Sequence, residues 1–469
     1  MQKLLVFAVL FFLSFQISAQ TINTMLERSI AALLNDSQMK NASISFYVAD
    51  AASGAMVYHK NGYTALAPAS TLKSFTAIAA LEILGKDYRY KTSIQHTGKV
   101  EDGILKGDLI FRGSGDPSLG SWRYEGYKQE HVKTTFLEAV AAAGIRAIDG
   151  NIIADNSAFE LQPLPGGWPW DDIGNYYGAG PWGLNWNENQ FDMHIRPGKK
   201  EGDEVSIIKT VPEIQNVTII NNFKTTKSED TRLFFAPYSK VAFTEGSVPA
   251  GKTVVIASGS MPDPPRQFLY AVKSWLKEKN IYTTGEYLTA FDFLSGGKAL
   301  PRNATEIGYF QSPSMDKMEY WFMRKSINIY GEAFAKTIAL EEKGHGNTQD
   351  GVDVIKKFWK EKGIDLSEFK MIDGSGLSPQ NAVTAHAEVQ ALLYAQNREY
   401  YKAFYESMPV YNDMKMKSGT IARCKAFAGY HTSATGNNYV FSIIINNYEG
   451  SSYGIVPKMY KLLDNLKKY

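Results

Sequence analysis

The sequence predicts an α/β (α+β) fold in which one α/β domain is split by a mostly β insertion. Three observations predict it. Helical and strand-like patterns alternate up to about residue 87, and short strand-like runs rich in Gly, Pro, Asn and Trp follow over 88–285. Helical patterns return from about residue 314, and the chain ends in a strand pair and a helix. The insertion therefore interrupts a domain that is completed by the C-terminal part of the chain.

Each element follows from its local pattern. A run with apolar residues at helical spacing predicts a helix, strict alternation predicts a strand, and Gly or Pro marks the turns. The helix over 71–84 is apolar on nearly all sides and ends at Gly85, so we expect it in the centre of a domain. The other main elements are a helix over 24–36, strands over 43–49 and 55–59, a helix over 351–362, strands over 425–430 and 439–446, and a helix over 452–468.

Composition excludes several classes of protein. The 469 residues are 44% hydrophobic and carry a formal net charge of +2, which is typical of a globular chain and gives no electrostatic footprint for nucleic acid. The single cysteine, Cys424, excludes an internal disulfide framework, and we expect it to pack as a small apolar side chain. The seven histidines lack metal-ligand spacing, so we expect neither a metal site nor a cofactor.

The first 19 residues have the pattern of a secretory signal peptide. Lys3 precedes an apolar run over 4–15, and Ile17-Ser18-Ala19 presents small residues before a cleavage point. The run is shorter than the ~20 residues of a membrane span, and no later stretch is long and apolar enough to cross a bilayer. We therefore expect an exported mature protein of the periplasm or cell envelope, soluble or peripherally bound to the membrane, without a transmembrane helix.

The strongest local motif is Ser70-Thr71-Leu72-Lys73. A serine needs an adjacent base to become a good nucleophile, and side chains three positions apart on a helix lie on one face. A partly buried lysine loses its proton more readily than an exposed one. Lys73 can therefore serve as the base for Ser70.

Two further motifs strengthen this interpretation. Lys417-Ser418-Gly419-Thr420 precedes an alternating apolar hairpin, so its ammonium and hydroxyl groups can bind a carboxylate and Gly419 leaves room for a substrate backbone. Ser326-Ile327-Asn328 lies between two helical runs. Its serine can relay a proton, and its asparagine can orient a substrate amide. The order SxxK, SxN and KSG is the order of the three motifs of penicillin-binding proteins.

With these motifs, the chain resembles the class C low-molecular-mass penicillin-binding proteins, which are D-alanyl-D-alanine carboxypeptidases and endopeptidases. The resemblance covers nearly the whole mature chain. It departs from the usual pattern at Ser418, where threonine is common, and at Ile327, where aspartate is common. The other matching segments are 68–73, 113–119, 155–159, 167–172, 373–378 and the terminal hairpin with Asn446-Asn447.

The resemblance implies a β-lactamase/transpeptidase-like catalytic domain with an antiparallel sheet flanked by helices. We expect this domain over 20–87 and 286–469, with two inserted β-rich domains over 88–285. The implied partners are peptidoglycan stem peptides, with β-lactams as covalent inhibitors. The implied roles are nucleophile and base for Ser70 and Lys73, proton transfer for Ser326 and Lys417, and orientation of the acyl peptide for Asn328. The backbone N–H groups of Ser70 and Thr420 would form the oxyanion hole, Ser418 and Thr420 would bind the substrate carboxylate, and Trp168 and Asp171 would lie near the substrate side chain.

Two alternatives stay open at this point. A β-lactamase or serine esterase on the same scaffold would use the same residues, although no Glu-x-x-Leu-Asn segment follows Ser326 to activate a deacylating water. A non-catalytic peptidoglycan-binding protein could keep the fold, but the intact set of motif residues disfavours it. Dinucleotide binding at 178–183 is disfavoured because Pro181 and then an Asn-rich run, rather than a helix, follow the first glycines of the GxGxxG pattern.

Overall fold

The structure, a computed structural model, describes residues 22–469 and divides them into two units. The first unit contains the described residues up to Ile83, Glu319–Ser326 and Ile355–Tyr469. The second unit contains Leu84–Met318 and Ile327–Val354. The predicted signal peptide lies outside the described residues. The predicted domain boundaries after residue 87 and before residue 286 stay predictions.

The centre of the first unit is a six-stranded antiparallel sheet. Its inner strand Asn438–Asn446 is buried along nearly its whole length, because both faces of the sheet are covered and the strand is rich in isoleucine. The predicted strand pair and the two predicted N-terminal strands lie side by side in it. The strands in spatial order are Met56–Lys60, Ser43–Asp50, Asn438–Asn446, Cys424–Thr432, Met414–Ile421 and Val410–Tyr411.

Helices cover both faces of this sheet. Side chains of successive strand residues point to opposite faces. Phe441 and Ile443 therefore pack against the helix over 22–34 and the C-terminal helices, while Ser442 contacts Ala385–Gln396. The helix Lys73–Ile83 packs on Ala385–Gln396 and is almost fully buried, as its apolar character predicts. The remaining helices of this unit are residues 22–34, Ser37–Met39, Ala69–Leu72, Tyr401–Ser407, Ser452–Leu463 and Asn465–Lys468, and a short strand pair is Phe369–Lys370 with Ala382–Val383.

The second unit contains four sheets, which accounts for the strand-like pattern of the insertion. Its apolar core includes Phe111, Phe136, Trp186 and Phe268. The largest sheet has the order Tyr287–Thr289, Ile152–Asp155, Leu109–Arg112, Lys91–His96 and Thr305–Gln311. The second sheet has the order Tyr282–Thr283, Ala147–Ile148, Ile104–Lys106 and Lys99–Glu101. The third has the order Ser206–Val211, Gln190–Arg196 and Val255–Ser260. In the fourth, Val241–Pro249 lies between Thr218–Asn221 and Lys224–Thr226 and also pairs with Asp230–Phe234.

The helices of the middle of the chain complete the fold. No helix among residues 22–469 has both the length and the apolar character that a bilayer span requires. The pair Met315–Lys325 and Asn328–Lys343 is separated only by Ser326 and Ile327. The other helices are Gln129–Ala142, Trp170–Ile173, Tyr176–Gly178, Asn187–Asn189, Pro264–Glu278, Ala290–Ser295 and Thr348–Glu361.

Candidate active site

Ser70 and Lys73 are in direct contact. Ser70 lies in the short 3₁₀ helix Ala69–Leu72, and the α-helix begins at Lys73, whereas the sequence pattern predicts a continuous helix from residue 71. In a 3₁₀ turn, residues three apart are eclipsed, so the two side chains lie directly over each other. The Lys73 Nζ donates a hydrogen bond of 3.0 Å to the Ser70 Oγ, and Lys73 is 0% exposed. The predicted base is thus held against the predicted nucleophile.

The backbone before Ser70 is strained. Ala69 has a φ of 49°, in the left-handed region that residues with a Cβ rarely adopt. Such strain persists only where the surroundings hold it in place, and it is concentrated at functional sites. Asn446 contributes to this restraint, because its side chain accepts a hydrogen bond of 2.8 Å from the Ala67 N–H and donates one of 3.0 Å to the Ala67 carbonyl.

A loop with the sequence Asp373-Gly374-Ser375-Gly376 supports Lys73 from another side. The Lys73 Nζ donates to the Ser375 carbonyl at 2.6 Å, and the Asp373 carboxylate accepts the Gly376 N–H at 2.7 Å. Gly376 has a φ of 82°, and a Cβ there would lie 2.0 Å from the Ala69 carbonyl oxygen. The sequence of this segment predicts membership of the resembled family but no role for its residues. In the structure it positions the lysine.

Ser326 and Lys417 form a second serine–lysine pair. Lys417 lies on Met414–Ile421, is 1% exposed, and donates hydrogen bonds to the Ser326 Oγ at 2.9 Å and to the Ser418 carbonyl at 2.8 Å. Ser326 has a φ of 58°, so it too is held in the left-handed region. Burial, and after it the positive charges of Lys73 and Lys425, lower the pKa of Lys417 well below the ordinary lysine value. Because the charge of Lys73 acts on Lys417, the two pairs form one cluster within the first unit.

Three of the predicted site residues, Asn328, Trp168 and Asp171, belong to the second unit. Asn328 begins the helix Asn328–Lys343, and its Nδ2 donates a hydrogen bond of 2.7 Å to the Tyr177 carbonyl. It is therefore anchored to the short helix Tyr176–Gly178, which follows Trp168 and Asp171 in the sequence. Trp168 is buried, at 8% exposed, whereas Asp171 is exposed in the short helix Trp170–Ile173.

Gly419 has a more specific role than the sequence suggests. A Cβ at this position would lie 2.4 Å from the Pro68 carbonyl oxygen and 3.0 Å from the Ser70 nitrogen. The sequence predicts that the missing side chain of Gly419 leaves room for a substrate backbone. In the structure, the Ser70 segment itself occupies that room. This close approach brings Ser418 and Thr420, its neighbours on the strand, towards the Ser70 backbone.

We expect Gly419→Ala to slow the acylation of Ser70 by a fluorescent penicillin by at least about tenfold, which corresponds to only ~1.4 kcal/mol of transition-state stabilisation. The added methyl group must displace the strand from the Ser70 segment. Gly166→Ala is the matched control, because nothing lies within 4 Å of a Cβ there. Wild-type labelling kinetics in Gly419→Ala would show that this contact does not control the site.

Glu388 is a buried carboxylate next to the Ser70 segment. The sequence patterns do not single it out as a site residue. It lies on Ala385–Gln396 and accepts hydrogen bonds from the Thr71 hydroxyl at 2.5 Å and the Ser442 hydroxyl at 2.6 Å. Burial raises its pKa to about 7, against the opposing effect of these two hydrogen bonds. Its only signal in the sequence is a single acidic residue within a mostly apolar helix.

This raised pKa predicts how stability depends on pH. The unfolded chain loses the Glu388 proton near pH 4.5, but the folded chain keeps it up to about pH 7, so stability falls as the pH rises through this window. We expect Glu388→Gln to raise the free energy of unfolding at pH 8 by on the order of 1–3 kcal/mol, with a smaller gain at pH 5. Thermal unfolding of both proteins at the two pH values measures this. Glu399→Gln, at an exposed position, is the control, and an equal effect of Glu388→Gln at both pH values would contradict the prediction.

Cys424 is buried and does not contribute a reactive thiol. Its Sγ lies 2.9 Å from the Ala67 carbonyl oxygen, and burial raises the pKa of the thiol to about 12. A thiol with this pKa stays protonated at neutral pH, and the thiolate is the nucleophilic form.

Comparison with known proteins identifies relatives over most of the chain. The family model for the D-Ala-D-Ala carboxypeptidase 3 (S13) family matches residues 26–412. A D-alanyl-D-alanine carboxypeptidase of Actinomadura sp. (strain R39) is 26% identical over 465 residues, which cover 91% of this chain and 82% of that protein.

Solved structures confirm the predicted fold. The crystal structure of penicillin-binding protein 4 from Haemophilus influenzae has a TM-score of 0.80 at 20% identity and covers 94% of this chain and 99% of its own. The same protein in complex with a novel β-lactam has a TM-score of 0.77, with the same identity and coverage. The likeness therefore extends over both units of the chain.

Proposed function

The chain belongs to the D-Ala-D-Ala carboxypeptidase 3 (S13) family, and from this premise we propose that it hydrolyses peptidoglycan peptides ending in D-Ala-D-Ala through an acyl-enzyme on Ser70. The observation that carries the proposal is the pair of contacts between serine and lysine. Lys73 lies 3.0 Å from the Ser70 Oγ, and Lys417 lies 2.9 Å from the Ser326 Oγ. One pair can activate the nucleophile, and the other can deliver a proton to the leaving group.

In the acylation step, the Ser70 Oγ attacks the carbonyl carbon of the penultimate D-Ala, and Lys73 takes the hydroxyl proton. The backbone N–H groups of Ser70 and Thr420 stabilise the oxyanion, and each donor contributes ~10²–10³ in rate. The close approach of Gly419 to the Ser70 nitrogen supports this pairing of donors.

In the leaving-group step, the C–N bond breaks and a proton must reach the nitrogen of the departing D-Ala. The Ser326 hydroxyl delivers it and is reprotonated by Lys417, whose lowered pKa makes it a better proton donor than an ordinary lysine. The proton that Lys73 took from Ser70 passes to solvent, and Lys417 regains one from solvent, so both lysines return to their starting states. Ser418 and Thr420 bind the carboxylate of the departing D-Ala, and Asn328 orients the acyl peptide. Trp168 and Asp171 contact the substrate side chain. Water then hydrolyses the ester and returns the proton to Ser70.

β-Lactams place a reactive amide where the peptide bond would lie, so we propose that they acylate Ser70 and leave slowly. The match to a penicillin-binding protein solved with a β-lactam supports this. We further propose that residues 1–19 direct export to the periplasm or cell envelope, because the peptidoglycan substrate lies outside the cytoplasm.

Release of D-Ala from a stem pentapeptide by the purified mature chain is the decisive measurement. We expect stoichiometric D-Ala and tetrapeptide, cleavage of the peptide cross-link in a muropeptide dimer, and little turnover of nitrocefin or of simple esters. Fast nitrocefin turnover without D-Ala release would instead assign a β-lactamase. Binding of the pentapeptide without any hydrolysis would leave a peptidoglycan-binding protein.

A further inference from the structure

Lys425 lies beside the predicted carboxylate-binding residues, and so far its charge enters only as one of the influences that lower the pKa of Lys417. It lies on Cys424–Thr432 directly across from Thr420 in the antiparallel pair. Its Nζ donates a hydrogen bond of 2.7 Å to the Thr420 Oγ1 and lies 4.8 Å from the centre of the Phe427 ring. The ammonium is thus held in place at the exposed side of Thr420.

The charge of Lys425 is not neutralised within the part of the chain that the structure describes. No Asp or Glu of residues 22–469 forms an ion pair with it, and burial lowers its pKa. A partly desolvated cation without a counter-ion is unfavourable in the free protein, because the lost hydration is not replaced. The same cation binds an anion strongly, since the interaction is weakly screened and part of the desolvation has already occurred.

The hydrogen bond to Thr420 also sets the direction of the threonine hydroxyl. A hydroxyl has one proton to donate and can accept at its oxygen. Because the Thr420 Oγ1 accepts from Lys425, its own proton remains available for an acceptor on the substrate. The ammonium of Lys425 and the hydroxyl of Thr420 therefore present two donors next to each other.

We propose that Lys425 binds the C-terminal carboxylate of the substrate together with Thr420, and so determines the preference for a free carboxylate. The inference rests on the proposed function, because it places the leaving D-Ala beside Ser418 and Thr420. It adds a cation that is fixed on the Thr420 hydroxyl.

The test compares two peptides that differ only at the C-terminus, a stem pentapeptide ending in D-Ala-D-Ala and the same peptide ending in D-alaninamide. We expect Lys425→Met to lower kcat/KM for the carboxylate peptide by at least about tenfold and for the amide by less than about twofold, because only the carboxylate loses a charged partner. Lys425→Arg should retain most of the preference. Lys415→Met is the control, since Lys415 is a partly buried lysine of the neighbouring strand that donates to the Met408 carbonyl.

The outcomes separate this inference from the proposed function. A wild-type enzyme that releases D-Ala, combined with an equal loss on both peptides in Lys425→Met, would overturn the carboxylate assignment and leave a structural role on Thr420. Unchanged kinetics on both peptides would overturn it as well. A wild-type protein that releases neither D-Ala from the first peptide nor D-alaninamide from the second would overturn the proposed function and the inference with it.

Discussion

Replacing Ser70 with alanine is expected to abolish covalent labelling by a fluorescent penicillin and release of D-Ala, while the melting temperature stays within a few degrees of that of the wild type. The change removes the oxygen that we propose attacks the substrate, but it keeps the backbone contacts of the 3₁₀ turn. A lost nucleophile typically lowers the rate by several orders of magnitude. Gel fluorescence after incubation with the penicillin, together with thermal unfolding, measures both effects.

Ser74→Ala is the matched control for this experiment. Ser74 lies four residues along the same segment, is buried, and its Oγ has no hydrogen-bond partner among the residues that the structure describes. We expect this variant to be labelled at the wild-type rate. Persistent labelling of Ser70→Ala would refute the assignment of the nucleophile.

Lys417→Met is expected to have opposite effects on activity and stability. Acylation should fall by at least ~10³-fold, because the Ser326 hydroxyl loses its partner for proton transfer. The free energy of unfolding should rise by about 1–3 kcal/mol, because a buried amine without a carboxylate partner in the described part of the chain is replaced by an apolar side chain of similar length. Labelling kinetics and urea unfolding test the two effects separately.

The gain in stability should depend on pH in a defined direction. The pKa of Lys417 is lower in the folded chain than in the unfolded chain, so the unfolded chain binds more protons between the two values. Wild-type stability therefore rises with pH across this window, and the advantage of Lys417→Met is largest below it. Lys402→Met, at an exposed position, should show no such dependence. A variant less stable than the wild type at low pH would contradict this explanation.

Several features of the fold could be predicted because they depend on local pattern. The alternation in residues 439–446 predicts the central strand, which is present as Asn438–Asn446. The apolar character of residues 71–84 on nearly all sides predicts a buried helix, which is present as Lys73–Ile83. The beginning of that helix could not be predicted in the same way. The left-handed backbone of Ala69 and the 3₁₀ turn after it depend on contacts with Gly376 and Gly419, which are distant in the sequence.

The sequence by itself determined which chemical groups are available: a serine and a lysine three residues apart, a second serine, and a lysine followed by Ser-Gly-Thr. These identities and their order were enough to indicate the family, because the chemistry requires those groups. Only the tertiary structure decided that the Ser375 carbonyl holds Lys73, that Glu388 contacts Thr71, and that Lys425 lies across from Thr420. Such contacts are set by strand register and by the packing of helices on a sheet, and neither leaves a periodic signal along the chain.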